Sequence, residues 1–370
     1  MDRHKQALEK LAHGTVIPAT PLALDAERKF DEKRQRALLR YYMDAGVHVV
    51  TQQCTLRYYM DAGVGGIAVG VHTTQFAIRD PEIALFRPVL ELTAQEMARY
   101  EQQSGKTLVR VAGACGPVKQ AVEEAALAKE LGFDAVLLSP GGLASYSEAE
   151  LLARTREVAA VLPVIGFYLQ PSVGGRVFTY QYWEWLCEIP NVIAIKSAPF
   201  NRYQTLDVVR AAALSSRREQ IALYTGNDDN IVIDLLTKYQ FTVNGTVYEK
   251  RFCGGLLGHW SVWVKRVVEL FESIKAEADK DMLSAQMLVL ANEITDTNAA
   301  LFDTAHGFAG CIAGLHYVLK KQGLFETINC LDPNETLSLG QAEEIERVYR
   351  MYPHLTDDGF VRENLDKWLV

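Results

Sequence analysis

No stretch of this sequence is long and apolar enough to read as a bilayer-spanning helix. The most conspicuous uncharged run, Phe252–Val264, is short and carries His259, whereas a spanning helix needs about 20 apolar residues. Metal motifs are missing too. The six cysteines (Cys54, Cys115, Cys187, Cys253, Cys311 and Cys330) have neither CxxC nor metal-ligand spacing, and the eight histidines form no HxH or HExxH. The thiols therefore read as reduced and mostly buried, and no metal site is assigned. No Lys/Arg cluster reaches polybasic density, and the net charge is −8. That balance gives no footprint for nucleic acid or an anionic membrane. The N-terminal MDRHKQALEKLAHG is too charged for a signal peptide, so a cytoplasmic, water-soluble protein is expected. What is present is ordinary: 370 residues, 49% hydrophobic and 23% charged, enough to bury a large core.

Short β-branched runs alternate with longer amphipathic ones. The short runs are Val16–Thr20, Gly66–His72, Thr107–Gly113, Asp134–Pro140, Pro163–Leu169, Val192–Ser197 and Ile221–Gly226, with an eighth between Phe241 and Leu257. Near-continuous apolar character marks strands covered on both faces. Helices are predicted over Asp31–Ala45, Pro117–Leu131, Ser147–Val161 and Asp228–Gln240. Eight strand–helix alternations favour a (β/α)8 barrel, with a doubly wound open sheet as the alternative. Asn244-Gly245, set between β-formers, predicts a hairpin. Beyond the eighth strand, Trp260–Ala278, Lys280–Ala299, Ala300–Lys321 and Leu339–Tyr349 read as helices. The expected organisation is a helical arm over 1–14, a barrel over 15–262 and a helical region over 263–370. With no Pro- or Gly-rich linker before it, that last region is expected to pack on the barrel.

LRYYMDAGV occurs twice, at Leu39–Val47 and Leu56–Val64, 17 residues apart. One repetition is not a solenoid. A tandem duplication or a gene-model artefact around 48–64, between the first helix and the second strand, is the first reading, ahead of a functional insertion.

In such a barrel the reacting groups belong at the C-terminal ends of strands. Those ends carry His72-Thr73-Thr74, Tyr168, Lys196 and Gly226-Asn227-Asp228-Asp229. Lys196 closes an apolar run. An amine walled by apolar groups is easier to deprotonate and can attack a carbonyl to form a Schiff base. The competing reading is a lysine that snorkels to the strand end or pairs with a carboxylate. Tyr168 could shuttle protons or simply pack. Asn227 and Asp228 are expected to cap the following helix.

The set GTVIPATPL, GVHTTQF, GFYLQP, IAIKSAP and TGNDD, in this order, resembles the dihydrodipicolinate synthase / N-acetylneuraminate lyase family over Gly14–Leu270. The resemblance implies a (β/α)8 barrel, usually a homotetramer built from dimers, acting on a 2-oxo acid such as pyruvate through a lysine Schiff base. It implies that Lys196 is the Schiff-base lysine and that Tyr168, with Pro171 retained, is the proton-relay tyrosine. Thr73 and Thr74 match the pair that binds the substrate carboxylate, and His72 before them and Gly255 on the eighth strand are further substrate-binding candidates. The protonated imine serves as electron sink, so no cofactor is implied.

The departures fall in the part of the pocket that selects the second substrate. The family's Gly-Glu after the threonines is Gln75-Phe76, and its P-Y-Y is Pro140-Gly141-Gly142, for which Tyr146 is a possible substitute. Its substrate-gripping arginine is Val173, with Arg176 three residues on, and the eighth-strand motif is Gly254–Gly258 followed by His259. Arg176 and His259 are possible site residues, each with an ordinary surface or packing alternative. The expectation is an aldolase-type lyase of a 2-oxo acid or a pyruvate-releasing sugar acid, not a true dihydrodipicolinate synthase. A Schiff-base dehydratase of a deoxy-sugar acid and a catalytically weak 2-oxo-acid-binding paralogue are the alternatives.

Overall fold

The computed structural model describes residues 2–46 and 64–370. The duplicated segment expected around 48–64 lies outside the described residues except for Val64. The fold is a (β/α)8 barrel with additional C-terminal helices. The chain divides into two compact units, one of Met1–Thr15 with Val109–Leu257 and the other of Val16–Leu108 with Gly258–Val370.

The first unit opens with α1 (Arg3–His13). It then alternates β3 (Val109–Ala114), α4 (Val118–Glu130), β4 (Ala135–Leu138), α5 (Glu148–Ala159), β5 (Val164–Leu169), α6 (Tyr180–Cys187), β6 (Val192–Ala198), α7 (Arg202–Leu214), β7 (Ala222–Thr225) and α8 (Ile231–Leu236). The hairpin β8 (Tyr239–Val243) and β9 (Thr246–Lys250) follows, and β10 (Phe252–Leu257) pairs in parallel with β7. Its parallel strands run β10-β7-β6-β5-β4-β3. The hairpin forms as predicted because Asn244 and Gly245 both take positive φ, 51° and 79°, which a tight two-residue turn requires.

Three helix starts in this unit, those of α5, α6 and α7, follow from short polar side chains. Ser147 accepts from the Glu150 backbone N–H at 3.3 Å while the Glu150 carboxylate accepts from the Ser147 N–H at 2.7 Å, a reciprocal cap on α5. Thr179 caps α6 and Asn201 caps α7 in one direction only, accepting from the Tyr182 and Gln204 N–H groups. Asp134 anchors α1: its Oδ1 accepts from Arg3 at 2.7 Å and its Oδ2 from the Arg110 backbone N–H at 2.9 Å.

The second unit holds β1 (Val16–Pro18), α2 (Glu32–Asp44), β2 (Gly66–Val69) and α3 (Phe86–Ser104). Its C-terminal helices are α9 (Val264–Ala278), α10 (Gln286–Leu301), α11 (Cys311–Lys321), α12 (Gln341–Met351) and α13 (Asp358–Trp368). β1 and β2 bridge in parallel at Val16–Val64 and Ala19–Ala68. Buried Glu96 on α3 binds Arg36 and Arg40 of α2 at 2.9 and 3.0 Å. Tyr41 of α2 packs on Trp368 of α13, ring centroids 5.4 Å apart, and donates to buried Asp357 at 2.7 Å.

Two expectations are corrected here. The predicted helix over Ala300–Lys321 is broken, because Asp303 and Gly307 take left-handed φ of 55° and 63°. The Asp303 carboxylate there accepts from the Gly310 N–H at 3.0 Å and the Ser338 hydroxyl at 2.5 Å. α13 was not foreseen in the pattern, where charges interrupt its apolar positions. Among the described residues, no helix is long and apolar enough to cross a membrane.

Candidate active site

Lys196 sits near the C-terminal end of β6 and is buried. In the parallel register it lies opposite Phe167 on β5 and Tyr224 on β7. Its Nζ is 4.4 Å from the centroid of the Phe167 ring. On the β7 side Gly226 leaves room for it: a Cβ at 226 would meet Lys196 Cε at 2.6 Å and Ala198 Cβ at 2.8 Å. Burial pulls the Lys196 ammonium from its ordinary 10.5 down to about 8, with the Asp228 carboxylate acting in the opposite sense. The neutral amine is thus about a tenth of the population at pH 7, far more than for an exposed lysine.

The loops after β6 and β7 are braced by one buried carboxylate. Asp234 accepts from the Thr225 hydroxyl at 2.7 Å, Asn227 Nδ2 at 2.9 Å, Asn230 Nδ2 at 3.1 Å, Arg202 at 2.5 Å and the Tyr239 hydroxyl at 3.3 Å. Asn227 Oδ1 accepts from the Phe200 N–H at 3.1 Å, and its Nδ2 also donates to Thr205 at 3.2 Å. The expected capping by Asn227 and Asp228 does not occur. α8 starts at Ile231 after Asn230, which makes no side-chain cap, because Asn227 is held in the brace. Asp234 had no motif to announce it: an aspartate inside a short helix reads as a surface charge until the fold buries it.

The position of Tyr168 is the main correction. Side chains alternate along a strand. Phe167 faces Lys196, whereas Gly166 and Tyr168 face α6. A Cβ at Gly166 would meet Leu186 of that helix at 2.8 Å, and the Tyr168 ring stacks on Trp183 of α6 at 5.0 Å and meets Phe178 edge-on at 5.6 Å. Its hydroxyl accepts from the Phe178 N–H at 3.4 Å. Burial pushes the phenol up to about 12. The structure therefore does not bring Tyr168 to Lys196. The β5 residue that meets the lysine is Phe167, which sequence reasoning missed.

Arg176 donates to the Tyr146 carbonyl at 2.5 Å and lies 5.5 Å from the Phe178 ring centroid, tying the loops after β4 and β5 together. It meets the backbone of Tyr146, not the phenol. Gly255 is buried on β10, opposite Thr225 in register, and its N–H donates to the Thr15 carbonyl at 3.3 Å.

The remaining candidates belong to the second unit. Thr73 donates its hydroxyl proton to the Ala19 carbonyl and Thr74 to the Thr20 carbonyl, both at 2.7 Å. The Thr74 oxygen also accepts from the Gly70 and Val71 N–H groups at 3.0 and 3.3 Å, which completes its hydrogen bonding. The threonine pair thus staples the end of β1 to the turn after β2. His72 is half-buried, its ring 6.1 Å from that of Phe76. His259 is buried, 6.0 Å from the Trp263 ring. Burial draws its imidazolium down to about 4, against a hydrogen bond with Asn298, so it is neutral at physiological pH. Gln75 was also passed over. It is buried at a φ of 68°, and its Oε1 accepts from the Leu331 N–H at 2.6 Å. Among the described residues no His, Cys, Asp or Glu group is arranged to hold a metal ion.

Residues 92–240 match the model of the Dihydrodipicolinate synthetase family. No curated protein matches the chain in sequence. Among solved structures, dihydrodipicolinate synthase from Oceanobacillus iheyensis is similar at a TM-score of 0.69 and 14% identity, over 95% of this chain and 100% of that one. N-acetylneuraminate lyase from Fusobacterium nucleatum gives 0.66 and 15%, over 92% and 99%. The chloride-inhibited dihydrodipicolinate synthase from Acinetobacter baumannii, complexed with pyruvate, gives 0.68 and 19%, over 91% and 98%. The resemblance read from the motifs is thus met independently. The chain shares its fold with dihydrodipicolinate synthases and N-acetylneuraminate lyases at low sequence identity, and its residues 92–240 match the family model.

Proposed function

We propose that this chain is a Schiff-base lyase of a 2-oxo acid, with Lys196 as the nucleophile. The observation that carries the reading is a buried strand-end lysine, its ammonium drawn down to about 8, in a fold shared with a pyruvate-bound synthase. The neutral amine adds to the ketone carbon, and the carbinolamine loses water to give a protonated imine. As the hydroxyl on the β carbon gives its proton to water, the bond between the α and β carbons breaks, its electron pair passes into the imine to form an enamine, and an aldehyde leaves. The enamine then takes up a proton, and hydrolysis returns the oxo acid and free lysine. Thr73 and Thr74 keep the carboxylate-binding role that the resemblance implies. Each would do so by turning its hydroxyl proton away from the carbonyl that now accepts it, Ala19 for Thr73 and Thr20 for Thr74. A homo-oligomer is part of the same reading.

A second reading, favoured by the packing of Tyr168 against Trp183, is a weakly catalytic protein that binds a 2-oxo acid as an imine. One experiment tests both: borohydride trapping with pyruvate and larger 2-oxo acids, with peptide mapping and Lys196→Ala as control. A reduced adduct on Lys196 is expected. Release of pyruvate plus an aldehyde from a sugar acid supports the lyase, and a trapped adduct without turnover supports the binding protein. No adduct with any oxo acid overturns both readings.

A further inference from the structure

Lys196 has an aromatic face beneath its nitrogen, and nothing in the reaction as written above uses it. Phe167 and Lys196 are register partners on adjacent parallel strands, so their side chains leave the sheet on the same side. Both are buried, and Nζ stands 4.4 Å from the ring centroid, within the range of a cation–π contact. Gly226 closes the opposite side, since a Cβ there would strike Lys196 Cε at 2.6 Å. With β7 hard against its methylene chain, the lysine nitrogen is directed over the ring. The ring has no hydroxyl and so cannot move a proton. What it supplies is the negative face of its quadrupole, in a site where water does not compete.

We propose that Phe167 is a catalytic residue that holds the Lys196 nitrogen in its cationic forms, the ammonium before substrate addition and the protonated imine after it. The imine half of this inference rests on the Schiff-base reading; the ammonium half does not. In the imine the nitrogen keeps its bond to Cε and gains the substrate carbon. The positive charge therefore stays over the same ring while the electron pair of the breaking bond is drawn toward it. The consequence is a longer-lived cationic intermediate than a purely aliphatic wall would give.

Burial and the aromatic face make opposite predictions for truncation, which makes the proposal testable. If Phe167 only excludes water, Phe167→Leu hydrates the nitrogen and raises the pH at which Lys196 becomes a neutral amine. If the ring face stabilises the cation, the same change lowers that pH by about one unit, because a desolvated cation–π contact is worth about a tenfold shift in the equilibrium. The midpoint is read without any imine chemistry, by competitive acetylation of the intact protein with acetic anhydride from pH 6 to 11 and mass mapping of the Lys196 peptide. Phe167→Met provides a second truncation should the leucine variant fold poorly, and Phe167→Tyr retains the face. The expected result is a lower midpoint in the leucine and methionine variants and an unchanged one in the tyrosine variant. The fraction trapped by borohydride at subsaturating pyruvate should also fall several-fold in the two truncations. A midpoint that rises or stays put in both truncations overturns the proposal. A midpoint that falls as stated, in a protein whose wild type traps neither pyruvate nor any larger 2-oxo acid, overturns the Schiff-base reading and leaves the ring–ammonium contact standing.

Discussion

Tyr168 and Trp183 stack with ring centroids 5.0 Å apart and planes 28° from parallel, on the side of β5 that faces α6. The phenol that the family resemblance assigns to proton relay is therefore part of the wall between strand and helix. That wall continues through Phe178 and Tyr182, whose rings stack at 4.2 Å.

Tyr168→Phe should leave the trapping of pyruvate on Lys196 unchanged. The hydroxyl accepts one long bond, from the Phe178 N–H at 3.4 Å, so the stability change should stay within about 1 kcal/mol. Urea unfolding and borohydride trapping on the same samples check both. A drop in trapping of tenfold or more would put the hydroxyl back into the chemistry.

The depressed Lys196 makes two pH-dependent outcomes. The rate of imine formation should climb with pH, about tenfold per unit well below pH 8, and level off above it as the amine loses its proton. Stability follows from the same shift. In the folded protein the lysine titrates at about 8 against an ordinary 10.5, so between those values the unfolded state binds more protons and folding gains stability as pH rises. Below pH 8 the cost of the buried ammonium is fully present. Lys196→Met should therefore melt above wild type at pH 7, with the gap closing between pH 8 and 10.5. Thermal melts at pH 7, 9 and 10.5 decide this, and a gap that widens with pH would contradict the assigned direction.

Asp234 is the acceptor that joins the loops after β6 and β7. Asp234→Ala strands the Thr225, Asn227 and Asn230 donors and removes the partner of Arg202. Because Arg202 is partly exposed, a loss of about 2–4 kcal/mol is expected rather than the full cost of breaking a buried pair. Asp234→Asn, which keeps an acceptor, should lose less. Chemical denaturation gives the order, and an alanine variant as stable as the asparagine one would remove the brace from the account.

Much of this protein could be read from its residues alone. Strand runs such as Val192–Ser197 and Pro163–Leu169 declare themselves because a parallel strand covered on both faces must be apolar along its length. The Asn244-Gly245 hairpin and the Ser147 cap are equally local, fixed by backbone conformations that few residues tolerate. Lys196 was legible for the same reason, as the one charge closing an apolar run. The side of the strand was not. When both faces of β5 are buried, alternation leaves no hydrophobic trace, so nothing in GFYLQP tells whether Phe167 or Tyr168 faces Lys196. Only the pairing of β5 with β6, Phe167 opposite Lys196, decided it, because register is a relation between segments distant in the chain. The same holds for Asp234, whose five donors come from β7, the loop after it, the start of α7 and the hairpin, and for Thr74, whose hydroxyl is used by the Thr20 carbonyl. Sequence determined which residues could carry the chemistry; tertiary pairing decided which of them meet.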